Sequence, residues 1–213
     1  MIIGTHHKYV FVSTPKAATH ALNRVLFRQY GGEFYIRMLT GQTTGPVHPF
    51  HFNMVPEQYM GWTIFTAVRN PFARAVSLWW HIKTTEPAKS IFHEMLGGDD
   101  FGLFAQYLRS FPRGPLTHWW DCCIPQAAWL HVNDQRYARV LRVETLEKDF
   151  AKLPFAKTSV HIPMANSRVA LRKPWWTYYD NYSQNAIRAW ADEDFSSFGY
   201  PDTIDRCIKK ERA

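Results

Sequence analysis

Two short segments hold the residues best suited to grip an anion. The first is Thr14-Pro-Lys-Ala-Ala-Thr-His-Ala-Leu22. Lys16 brings a full positive charge, and Thr19 and His20 bring side-chain donors. The small residues Ala17 and Ala18 let a phosphate approach the backbone closely. The second segment is Phe65-Thr-Ala-Val-Arg-Asn-Pro-Phe-Ala-Arg-Ala-Val-Ser-Leu-Trp79. Arg69 carries a planar fork of donors that matches two phosphate oxygens at once. Ser77 follows about two helical turns later, where it can face the same side as Arg69.

These residues need elements to position them, and the flanking sequence supplies them. Lys8–Ser13 is apolar, β-branched and aromatic, which predicts a buried strand. Apolar residues then recur three or four apart from Thr19 to Tyr30, predicting a helix. A strand that feeds a helix through a tight loop aims backbone N–H groups at one point, reinforced by the helix dipole. The unit repeats at Trp62–Val68, another buried strand, followed by a helix over Phe72–Lys83, with Pro71 at a tolerated first-turn position. Arg139–Val143 predicts a third strand and Leu146–Leu153 a helix after it. Further helices are expected over Lys89–Leu96, Phe101–Arg109, Pro125–His131 and Ser183–Ala191, a strand over Glu33–Leu39 and a helical turn at Pro56–Met60. Strands alternating with helices predict an α/β fold with a central parallel sheet flanked by helices.

The first loop is not a Walker A motif, because it has no glycine and its lysine comes early. That argues against an ATPase or GTPase. A base for proton transfer is available in Gly45-Pro-Val-His-Pro-Phe-His-Phe52, which offers His48 and His51. Histidine suits that role because its ordinary pKa lies near ~6.5.

Taken together, PKAATHAL and RNPFARAVS resemble the two donor-binding segments of sulfotransferases that use 3'-phosphoadenosine 5'-phosphosulfate (PAPS). The first is similar to their 5'-phosphosulfate loop, and the second to their 3'-phosphate motif RxPxxRxxS. Leu141-Arg-Val-Glu-Thr-Leu-Glu-Lys-Asp149 resembles the RxExLxxDF strand–helix of the carbohydrate branch, similar to the heparan sulfate 2-O-sulfotransferases. The stretch from Tyr178 to Tyr200 resembles that branch's closing helix. One departure stands out: His20 occupies a position where the family carries Thr or Ser, and Ala18 or Thr19 stands near its Gly, so the phosphate-contacting hydroxyl is either Thr19 in a shifted loop or is replaced by His20.

The resemblance implies a P-loop-like sulfotransferase fold and transfer of a sulfuryl group from PAPS to a hydroxyl, with a glycan or small molecule as acceptor. It implies that Lys16, Ala17, Ala18, Thr19 and His20 hold the 5' end, that Lys16 also acts catalytically, and that Arg69 and Ser77 hold the 3'-phosphate. The family's catalytic histidine lies in a loop some twenty residues before the RxP motif. His48 fits that distance better than His51. Arg172 and Lys173, in the basic stretch from Asn166, match the family's nucleotide-closing loop. No metal is implied, since lysine and arginine supply the positive charge.

Composition bounds the reading. The chain has 213 residues, 46% hydrophobic and 20% charged, which suits one domain over 1–213 with a sizeable core. A net charge of +7 fits anionic ligands. The longest basic cluster, Lys209-Lys210 with Arg212, reads as a solvated helix end, so no nucleic-acid partner is expected. Cys122, Cys123 and Cys207 are odd in number and include no CxxC pair, which favours reduced thiols and a cytoplasmic protein. The spacing of His118, Cys122, Cys123 and His131 is unlike a zinc site. No apolar stretch is long enough to span a bilayer, and no signal peptide opens the sequence. Two other readings share these features. One is a nucleotide kinase-like P-loop enzyme, disfavoured by the missing Walker pair. The other is a non-catalytic glycan- or nucleotide-binding protein on the same scaffold, which the basic charge and nine Trp allow.

Overall fold

The computed structural model describes residues 1–35, 55–85, 93–94, 100–110, 122–130, 139–157, 159–163 and 173–211. The chain forms two compact units, each from two stretches of sequence. The first joins Met1–Val68 to Ala128–Ser167, and the second joins Arg69–Ala127 to Arg168–Ala213.

The first unit is built on a sheet of five strands: β1 (Ile2–Gly4), β2 (Tyr9–Val12), β3 (Glu33–Phe34), β4 (Thr63–Val68) and β5 (Arg139–Arg142). Their spatial order is β3-β1-β2-β4-β5. At its centre β2, β4 and β5 run parallel, with Tyr9 opposite Thr63 and Phe65 opposite Arg139. Successive strand residues are buried on both faces. Ile2, Tyr9, Phe11, Phe65 and Leu141 cluster with Leu22, Val25 and Leu26 of α1 (Thr19–Gln29) and with Phe150. Met1, Ile3, Val10 and Val12 pack on the other side with Val55 and Tyr59. Burial on both faces explains why the strands read as continuous apolar runs without alternation.

The sheet differs from an all-parallel expectation at one edge. β1 is antiparallel to β2 and to β3. Thr5–Lys8 is too short for a crossover, so the chain must return as a hairpin, with Lys8 at φ 50° in its turn. Gly4 lies opposite Tyr9, and a Cβ there would fall inside the Tyr9 ring. β5 leads through a 3-10 turn (Val143–Thr145) into α5 (Leu146–Phe150). The Asp149 carboxylate ties that corner, accepting from Arg142 N at 3.2 Å and from the Thr145 hydroxyl and Lys152 Nζ at 2.7 Å.

The second unit is helical among the described residues: α2 (Pro71–Thr84), α3 (Phe101–Ser110), the start of α4 (Gln126–Leu130), α6 (Asn181–Trp190), α7 (Asp192–Phe198) and α8 (Ile204–Glu211). α3 packs on α6, which opens with an Asp180–Ser183 capping box. Phe72, Phe101 and Tyr179 meet edge to face, and the Tyr179 hydroxyl donates to Phe72 O at 2.8 Å. No helix among the described residues is long and apolar enough to cross a membrane.

A buried arginine organises this unit. Arg74, the second arginine of RNPFARAVS, has no solvent exposure. Its Nη2 donates to Cys122 O at 3.0 Å and Ile124 O at 2.8 Å. Its guanidinium lies 5.2 Å from the centre of the Trp190 ring, whose Nε1 donates to Cys123 O at 2.9 Å. Burial lowers the Arg74 pKa, while the charge of the fully buried Asp194 opposes the shift. Truncating Arg74 leaves the carbonyls of Cys122 and Ile124 without their charged donor and the buried Asp194 charge unopposed by it, a loss of about 3–5 kcal/mol. Arg74→Ala is therefore expected to lower the unfolding free energy by that order in urea denaturation. A loss below about 1 kcal/mol, the range of exposed pairs, would contradict the buried pairing.

Candidate anion-binding loops

In the first unit, β2 and α1 are joined by Ser13–Ala18, a glycine-free loop in which Lys16 has φ 66° and Ala18 has φ 57°. Left-handed backbone costs a non-glycine residue about 1–2 kcal/mol, so the surroundings must hold it. Hydroxyls do so. Thr66 on β4 donates to Val12 O at 2.8 Å, which spends its proton. The 2.9 Å contact between Thr14 and Thr66 is then a donation from Thr14. The Thr19 hydroxyl donates to Thr14 O at 2.9 Å and accepts from Ser13 at 3.2 Å. All four residues are buried. Thr19 was expected to offer its hydroxyl to a ligand, but that hydroxyl is engaged inside the loop. Ala17 is also turned inward: its side chain lies in the core and its N–H approaches Thr14 O at 3.4 Å.

The outer side of the loop carries the remaining candidates. Ala18 is the cap residue of α1, and no side chain caps its first turn. No acidic residue lies in that turn. Lys16 is half-buried and His20 is exposed at its edge. Partial desolvation, and after it the nearby Lys16 charge, lower the His20 pKa from its usual value near 6.5. The loop thus combines a helix N-terminus, a lysine and an uncharged imidazole.

The second unit handles its helix start differently. Asn70 caps α2 with its own Oδ1, accepting from Phe72 N at 2.9 Å and Ala73 N at 3.4 Å, and Pro71 follows in the first turn. Those N–H groups are engaged by Asn70, which leaves the side chains of the segment as the candidate anion ligands. Arg69 and Ser77 are both half-buried. The Arg69 peptide is gripped by the buried Gln126: Arg69 N donates to Gln126 Oε1 at 2.8 Å, and Gln126 Nε2 donates to Arg69 O at 2.9 Å. Gln126, Asp194, Ser13, Thr14 and Thr66 were not singled out in the sequence. Gln126 and Thr66 leave only an isolated polar residue in an apolar run there, and Asp194 lies in the acidic run Asp192-Glu193-Asp194.

Lys173 is exposed. His48, His51 and Arg172 lie outside the described residues, as does most of the predicted helix at Lys89–Leu96. Among the described residues, no group of three or more His, Cys, Asp or Glu is placed to hold a metal ion. Cys122, Cys123 and Cys207 are not joined in disulfides.

The lowered His20 pKa has a definite sign. The folded protein favours the neutral ring, so the related stability is present above pH 6.5 and is lost as pH falls through the folded value. In an NMR titration His20 should therefore protonate below free histidine. Lys16→Met should move it up by removing a like charge, and added pyrophosphate should do the same by supplying an opposite one. A ring that titrates at or above the free value would contradict this arrangement.

The sequence was compared with known proteins. No curated protein and no solved structure matches it. A model of the sulfotransferase family matches residues 1–201, a span that takes in both units and both loops. The chain therefore belongs to the sulfotransferase family.

Proposed function

We propose that this sulfotransferase takes its sulfuryl group from PAPS and transfers it to a carbohydrate hydroxyl. One observation carries the donor reading: the uncapped, left-handed turn at Lys16–Ala18 opens α1 with a lysine beside its first N–H groups. That is what a phosphosulfate needs, namely converging donors and positive charge on a backbone already held in shape. The residues present fit such a donor. Backbone N–H groups of the α1 first turn and Lys16 would hold the 5' end, with His20 at the rim. Arg69 and Ser77 would hold the 3'-phosphate, and Lys173 with Arg172 would close over it. The carbohydrate acceptor rests on the likeness of Leu141–Asp149 and Tyr178–Tyr200 to the carbohydrate branch.

In the reaction, the acceptor oxygen forms a bond to sulfur as the bond from sulfur to the bridging phosphate oxygen breaks. The acceptor proton goes to a base, and the adenosine 3',5'-bisphosphate product (PAP) leaves. Lys16 offsets charge gathering on the bridging oxygen, where a preplaced cation acts most strongly. His48 is the proposed base, chosen over His51 by its distance from Arg69-Asn70-Pro71. Pro49 restricts the His48 backbone.

Donor specificity can be tested by thermal shift. PAP should raise the melting temperature by mass action, and adenosine 5'-monophosphate should do so far less. Arg69→Ala should abolish the difference. Equal shifts from both nucleotides on the unaltered protein would overturn the donor assignment.

The two histidines separate in kinetics. His48→Ala is expected to lower turnover by roughly 10²–10⁴-fold, the usual contribution of a general base, while PAP still binds. His51→Ala should retain substantial activity, and turnover of the unaltered enzyme should fall at acidic pH as the base protonates. An active His48→Ala with a dead His51→Ala would move the role to His51.

A further inference from the structure

Arg69 sits at an awkward place in the chain. It follows Val68, the last residue of β4, and precedes Asn70, the cap of α2. Its peptide is therefore outside both the β ladder and the helix. The side chain of Gln126 takes the place of a neighbouring strand. Its Oε1 accepts from Arg69 N and its Nε2 donates to Arg69 O, at 2.8 and 2.9 Å.

The amide cannot turn over. Its second Nε2 proton goes to Asp194 Oδ2 at 3.1 Å, an atom that also accepts Gln126 N at 3.0 Å. Asp194 Oδ1 accepts Ala127 N at 2.7 Å. A carboxylate that accepts these bonds needs the NH₂ side of the amide facing it, which leaves Oε1 for the Arg69 N–H. Gln126 and Asp194 have no solvent exposure. Arg74 fixes the approach to α4 through the carbonyls of Cys122 and Ile124.

We infer that Gln126, locked by Asp194, is a positioning residue that sets the backbone of Arg69 so that its guanidinium meets the donor's 3'-phosphate. This rests on the donor reading above. The bidentate Arg–phosphate pair depends on direction as well as charge, so a peptide free to rotate would spread the guanidinium over many orientations. Gln126 acts on Arg69 and not on the nucleotide.

The test is the ratio of dissociation constants for adenosine 5'-monophosphate and PAP, measured by calorimetry on the full chain. The unaltered protein should prefer PAP, and Arg69→Ala should erase that preference. Gln126→Ala, and the volume-preserving Gln126→Met, should reduce it about tenfold, as expected for two lost hydrogen bonds. Both should raise KM for PAPS more than they lower kcat. Ser183→Ala, which removes the capping-box bond from Asp180 N at the start of α6, should lower the melting temperature and leave the preference unchanged. If Arg69→Ala keeps the preference, or the unaltered protein has none, the donor reading itself fails. If those controls hold and Gln126→Met retains full preference, only the role of Gln126 is overturned. Failure of both Gln126 variants to fold would likewise overturn it in favour of a purely structural role.

Discussion

The first unit depends on how a loop without glycine is kept in a shape that glycine would adopt freely. Lys16 and Ala18 both have left-handed backbone, and only one residue separates them. The compensation comes from buried hydroxyls: Thr66 on Val12 O, Thr14 on Thr66, and Thr19 on Thr14 O with Ser13 behind it. Because Thr66 belongs to β4, the loop's shape is tied to the pairing of β2 with β4. The parallel sheet is thus more than a platform, since it supplies the atom from which the loop is hung.

The two helix starts solve opposite problems. α1 begins without a side-chain cap. α2 begins with Asn70, which engages its first-turn N–H groups. A strand–loop–helix motif therefore does not by itself make an anion cradle; the cap decides. Where the cap closes the backbone route, half-buried Arg69 and Ser77 flank the capped turn. The peptide of Arg69 is then held by Gln126, which replaces the ladder that ended at Val68.

The paired arginines of RNPFARAVS illustrate how one motif divides its labour. Arg69 is half-buried at the strand end, whereas Arg74 is fully buried among carbonyls, the Trp190 ring and the Asp194 charge. The same burial that lowers the Arg74 pKa raises that of Asp194, and each charge opposes the other's shift. Burying either charge alone would be unfavourable, and each is further held by its own hydrogen bonds, Arg74 to two carbonyls and Asp194 to Gln126 and Ala127.

The sequence by itself determined the central elements and the loops that matter. Period and composition marked β2, α1, β4, α2 and β5, because side chains buried on both sheet faces leave uninterrupted apolar runs. Lys16, His20, Arg69 and Ser77 stood out by residue type and by their place at two strand–helix junctions, and both junctions are present in the fold. Tertiary structure alone decided the rest. The antiparallel β1 edge was not legible, since Met1–Gly4 reads only as a lead-in until the short hairpin returns it beside β2. The bond from Thr14 to Thr66 on β4, and the grip on Arg69 of a Gln126 held by Asp194 on α7, depend on partners distant in the sequence. A hydrogen bond needs two atoms at about 3 Å, and residue type reveals only one of them.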